Sequence, residues 1–166
     1  RACRGEAAGV DRVRAGIDAW RATGSRVVAP PLLGMLAEGC LAAERTDEGL
    51  AAVAEAIEFS VETGAMHYAC ELYRLRAELL LQRGDADHGA GPDEAEQSFR
   101  QAMDMAREQR AKTYELRAAM GMARMWRTQG RTAEARRLLD DVYAWFPEGV
   151  ATPDLHEARA LRQALS

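Results

Sequence analysis

Chemistry along this chain would have to come from a few concentrations of charge. The densest is QRGDADHGAGPDEAEQSF, residues 82–99. Asp85, Asp87 and Glu96 fall at positions 1, 3 and 12 of an EF-hand calcium loop, where carboxylate oxygens would ligate the ion. Two neighbouring positions break the pattern. Gly89 brings no side-chain oxygen to position 5, and Ala90 stands at position 6, where the sharp turn calls for glycine. The stretch therefore reads as an enlarged turn from Gln82 to Pro92, with Asp93 capping the helix that follows. Neither a metal nor another cofactor is expected.

A second concentration is basic. Arg107, Arg110, Lys112, Arg117, Arg124, Arg127, Arg131, Arg136 and Arg137 outnumber the acids of residues 107–137 by nine to three. Such an excess could meet an acidic partner or a phosphate. Only Tyr114 and Trp126 offer aromatic faces there, and Trp126 occupies a packing position, which argues against nucleic acid. The formal net charge of −4 argues the same way. His67, His88 and His156 are dispersed, and no Ser or Cys is matched by motif to a His–Asp pair, so this stretch of chain reads as non-catalytic. Cys3, Cys40 and Cys70 are odd in number and far apart, which points away from a disulfide framework or zinc knuckle and towards a reducing cytoplasm. No apolar run is long enough to span a membrane, so no membrane partner is expected.

The elements that must position these residues are helices. Hydrophobic residues make up 48% of the chain while aromatics supply only 6%, and β-branched residues are sparse, so Ala, Leu and Met dominate and an all-α fold is expected. Breaks fall at Thr23-Gly24, Ala29-Pro30-Pro31, Arg45-Thr46-Asp47, Thr63-Gly64, Gly84 to Pro92, Gly130-Arg131-Thr132 and Pro147-Glu148-Gly149. Thr46 or Asp47, Asp93 and Thr132 are candidate N-caps, and Pro30, Pro31 and Pro153 suit helix starts.

The helices repeat. Gly9, Val13, Gly16 and Ile17 match Gly49, Val53, Ala56 and Ile57, then Ala95, Phe99, Ala102 and Met103, then Ala135, Leu139, Val142 and Tyr143, at displacements of 40, 46 and 40. The i, i+4, i+7, i+8 spacing puts each set on one helical face. Partner helices lie between them, around Leu33 to Ala43, Leu72 to Arg83 and Ala118 to Gln129. A hairpin of this kind cannot bury its apolar face alone, and stacked hairpins share a continuous core. The expected organisation is a single domain, 1–166: an incomplete first hairpin at 1–24, repeats at 30–64, 66–110 and 112–147, and a capping helix at 152–165. The chain opens on Arg1 inside a helical pattern and is expected to be a piece of a longer protein.

Ala119, Met122, Ala123, Trp126, Gly130, Ala135, Leu139, Val142 and Pro147 fall at the spacing of the tetratricopeptide repeat signature, and Tyr73, Ala77, Leu80 and Gly84 begin another copy. Leu33, Leu36, Ala37, Cys40, Gly49, Val53 and Ala56 form a weaker one. The repeats run near 40 residues instead of the usual 34. The block from Glu94 to Arg162 further resembles the C-terminal helical-repeat region of large bacterial signalling proteins, in which a class III nucleotide cyclase or a DNA-binding domain precedes a P-loop ATPase. No G-x-x-x-x-G-K-[ST] loop occurs in this chain, so such an activity is not carried by these residues.

The resemblance implies a right-handed α-solenoid whose first helix in each hairpin lines a concave surface. By position it nominates Glu38, Arg74, Glu78, Arg117, Met120, Arg124 and Arg127 for partner binding. The expected partner is a protein or peptide segment, a segment of the same longer chain included. A small molecule in the solenoid's hollow is the alternative, and homo-oligomerisation through an exposed apolar end is a third reading.

Overall fold

The computed structural model describes residues 2–24, 29–87, 91–147 and 152–165, except for the side chains of 2–7 and 85–87. Among them the regular structure is helical: α1 (Ala2–Ala22), α2 (Ala29–Ala42), α3 (Thr46–Thr63), α4 (Ala69–Asp87), α5 (Gly91–Glu108), α6 (Lys112–Thr128), α7 (Thr132–Tyr143) and α8 (Pro153–Ala164), with a 3₁₀ turn at Met66–Tyr68 leading into α4.

Each helix packs on its chain neighbours, and α2, α4, α6 and α8 also touch in succession. These four run the same way. The ring of Tyr68 lies against Gly34 near the start of α2, while Gln82 near the end of α4 donates to the Leu41 carbonyl near the end of α2 (3.0 Å). Tyr68 and Tyr114 meet edge to face at 6.4 Å, and Arg117 reaches Asp154, placing the starts of α4, α6 and α8 side by side.

The expected faces are the buried ones in three of the four copies. Ala95, Phe99, Ala102 and Met103 are buried, as are Ala135, Leu139 and Val142, and Gly49, Val53 and Ala56. In α1 the pattern slips: Val10 and Ile17 are buried, but Gly9 and Gly16 are exposed. The reason is that α1 packs chiefly on α2 and meets α3 through surface ion pairs such as Arg14–Glu48 and Arg21–Glu55, so no second helix presses on its glycines. α6, flanked by α4, α5, α7 and α8, is buried around most of its circumference. The apolar interior forms two clusters, one centred on α2, α3 and α4 and one on α5, α6 and α7. α4 feeds both, Leu72, Leu75 and Leu79 facing the first and Ala77 and Leu80 the second.

The turns follow a rule of their own. Residues with left-handed backbone stand at Gly24, Glu44 and Gly64, and again at Arg110 and Gly130, at intervals of 20 residues within each group. Glycine takes this conformation without steric cost, whereas Glu44 and Arg110, each at φ 56°, hold it against their own Cβ.

Three cap expectations are corrected. Thr46 and Thr132 are the first residues of their helices, preceded by Arg45 and Arg131 with no side-chain cap, and Asp93 lies inside the first turn of α5. Thr46 Oγ1 is instead hydrogen-bonded to Gln82 Oε1 at 2.6 Å, a tertiary contact that competes with capping. At α8 the Leu155 amide donates to Thr152 Oγ1 (3.3 Å), and Pro153 follows as the first helical residue.

The enlarged turn from Gln82 to Pro92 is corrected too. α4 continues through Gly84 to Asp87 and α5 begins at Gly91; residues 88–90 lie outside the described residues. A Cβ on Gly91 would come within 2.9 Å of the Leu80 carbonyl oxygen and 3.1 Å of Gly84 Cα. Gly91 therefore lets two helices pass backbone to backbone, and the same composition looks like a turn in sequence.

Candidate partner-binding face

The even-numbered helices place side chains one turn apart along a shared wall. Glu38, Arg74, Glu78, Arg117, Met120 and Arg124 line one cavity of about 280 Å³, which Asp154 and Glu157 of α8 complete. Thus six of the seven nominated residues come together. Arg127 does not join them: it is exposed, a turn beyond Arg124 near the end of α6.

Arg74 anchors the wall. It is 8% exposed, its Nε and Nη2 donate to the two carboxylate oxygens of Glu71 (3.0 and 2.8 Å), and its Nη1 donates to Glu78 (2.7 Å). Burial works against its charge, but the fork onto Glu71 and the charges of Glu78 and Glu71 outweigh it, so its pKa is raised further. Arg117 is treated similarly, burial opposing its charge and Asp154, at 2.9 Å, more than compensating; Glu71 lies 3.6 Å away. Arg124 pairs with Glu157. Tyr68 stands beside this cluster, and its hydroxyl is pushed up to about 12 by burial first and then by the negative charges of Glu71 and Glu38. Guanidiniums clamped between carboxylates hold charge in fixed places and exchange no protons near neutral pH. This arrangement can orient a charged ligand.

Below the polar cavity lies an apolar cleft of about 460 Å³, walled by Leu41, Leu81, Phe99, Gly121 and Met125. Glu78 and Arg124 border both spaces. The Phe99 ring packs directly on Gly121, where an added Cβ would sit 2.5 Å from it.

The basic excess of residues 107–137 is redistributed by the fold. Arg107 pairs with Asp104 and Glu115, Lys112 with Glu115, Arg131 with Glu96 and Glu134, and Arg136 with Asp140. Counting charges within the stretch missed Glu96, Asp154 and Glu157, which arrive from other helices. Glu71 was also missed, although its spacing from Arg74 is a helical ion-pair spacing that could have flagged it. Glu96, read as the last position of a calcium loop, lies within α5 and accepts from Trp126 Nε1 (3.0 Å) and Arg131 (2.8 Å). The side chains of Asp85, Asp87 and His88 are outside the described residues. Cys40 and Cys70 are buried free thiols, and burial pushes both pKa values up.

No family model matches the chain, and no curated protein or solved structure matches it either. The class that fold and site define is thus, among the described residues, an all-helical one with a charged cavity on the even-numbered helices and an apolar cleft beside it that Phe99 of α5 helps to wall. Among the described residues no helix is long and apolar enough to cross a membrane.

Proposed function

We propose that this chain is a right-handed α-solenoid of tetratricopeptide-like hairpins that serves as a non-catalytic interaction and regulatory module, docking a protein segment on the face of α2, α4, α6 and α8. The observation that carries the reading is the meeting of side chains from four non-consecutive helices at one cavity, with an apolar cleft adjoining it. Successive contact within the even row, and a core strung along the chain as two linked clusters, are what stacked hairpins produce. The setting rests on sequence resemblance alone: a cytoplasmic bacterial signalling protein with a nucleotide cyclase, or an ATPase-type regulator, elsewhere in the longer chain.

Panning a displayed peptide library on the chain and mapping enriched peptides by amide chemical shifts tests this. Shifts centred on α2, α4, α6 and α8, with Phe99 of α5 at the cleft, are expected. No enrichment, or shifts centred on α1, α3 and α7, would overturn it. A second reading, small-molecule sensing, draws on the cleft: about 460 Å³ is an adequate volume for a small ligand. Small-molecule screening by thermal shift separates the two, since a sensor gains stability with a compound that no peptide displaces.

A further inference from the structure

The charged cavity and the apolar cleft differ in what they leave unsatisfied, and the difference selects a partner chemistry. Every arginine on the wall is already engaged by a carboxylate of this chain: Arg74 by Glu71 and Glu78, Arg117 by Asp154, Arg124 by Glu157. An anionic group arriving there would have to displace an internal acid. Glu38, by contrast, is exposed and takes part in none of the ion pairs seen among the described residues. With the buried Glu71 beneath them, the acids at the cavity number five against three arginines, so its field favours a cation. The upward push on the Tyr68 hydroxyl from Glu71 and Glu38 reflects the same negative field.

Spacing adds a second constraint. Along each parallel helix the polar lining precedes the apolar: Glu38 before Leu41 on α2, Glu78 before Leu81 on α4, and Arg117 before Gly121 on α6. The centres of the two spaces are thus offset by about one helical turn, ~5 Å. In an extended strand, side chains two residues apart point the same way and stand about 6.6 Å apart, close to that offset.

Building on the docking function proposed above, we infer that this face takes an extended peptide segment with an apolar side chain in the Leu41–Phe99–Met125 cleft and, two residues away, a lysine or arginine at Glu38. Backbone groups of the segment lie over the Glu78–Arg124 border, which has both a carboxylate and a guanidinium to receive them.

Fluorescence polarisation with labelled Gly/Ser nonapeptides carrying Leu-x-Arg, Leu-x-Glu, Ser-x-Arg or Leu-x-x-x-x-Arg tests the inference. Leu-x-Arg should bind at least ~10-fold tighter than each of the others, a factor typical of one satisfied charge or one buried side chain. Glu38→Lys changes an exposed residue, so its folding can be checked by thermal melting; it should weaken Leu-x-Arg by ~10-fold and strengthen Leu-x-Glu. Equal affinity for all peptides, or a preference for Leu-x-Glu that Glu38→Lys leaves unchanged, overturns this partner chemistry while leaving peptide docking intact. No binding by any peptide, with none enriched from the library, overturns the docking function itself. Argininamide binding as tightly as the peptide overturns the inference in favour of a small cationic ligand.

Discussion

At the scale of single residues, the fold turns isolated charges into local anchors. Glu96 receives hydrogen bonds from Trp126, Arg100 and Arg131, and the Arg131 guanidinium sits 4.4 Å above the Trp126 ring. Partial burial would raise its pKa, but these donors win and hold the carboxyl at about 2, against an ordinary value of 4.5. A carboxyl with a lowered folded-state pKa stabilises the protein above its unfolded pKa and loses that contribution as pH falls through its folded one. Stability should therefore decline between pH 4.5 and about 2, and Glu96→Gln should flatten that decline in a series of thermal melts. At neutral pH the same substitution should cost about 1.5–3 kcal/mol, the range for a hydrogen bond to a charged group. Arg74 makes the sharper case, because removing it leaves Glu71, 4% exposed, without its main partner. Arg74→Ala should cost about 3–5 kcal/mol in urea denaturation, and Glu71→Gln on top of it should recover part of the loss.

At the scale of elements, glycine and left-handed backbone punctuate the hairpins, but not always where composition suggests. Gly84 lies inside α4 without a positive φ, and a Cβ there would find Gly91 Cα at an ordinary 3.5 Å. Gly84→Ala should raise stability by up to about 1 kcal/mol, as expected inside a helix. Gly91→Ala, which meets the Leu80 carbonyl at 2.9 Å, should lower it. If Gly84→Ala were instead destabilising by the same amount, the continuous α4 would be wrong. Glu44 and Arg110 offer the converse test: glycine at either relieves a strained left-handed residue and should add up to about 1 kcal/mol, read as a higher denaturation midpoint. Gly130→Ala, at φ 77°, should move the other way.

At the scale of the whole molecule, stability is distributed along the chain. α4 lines both apolar clusters, and α6 is enclosed by four helices, whereas α1 packs chiefly on α2 and α8 on α6 and α7. Chains built of neighbour contacts open from their less supported ends. Native-state amide exchange should show the greatest protection in the middle turns of α4 and α6 and the least in α1 and α8. Uniform protection from α1 to α8 would instead mean one indivisible cooperative unit.

Much of the helical framework was legible because hydrophobic period, proline position and the Gly64 and Gly130 stops are local properties that each stretch expresses by itself. The apolar faces of α5 and α7 could be read residue by residue for the same reason. The even-helix wall was partly legible: the resemblance to helical-repeat proteins, carried over by position, nominated seven residues, six of which meet at one cavity. What those residues do there was decided only by tertiary structure. Glu71, Asp154 and Glu157 reach the arginines from neighbouring turns and other helices, and this pairing converts an apparent basic surface into a cavity with acid to spare. The tight α4–α5 crossing was likewise hidden, because a glycine that permits close approach and one that makes a turn look alike until a second backbone lies beside it.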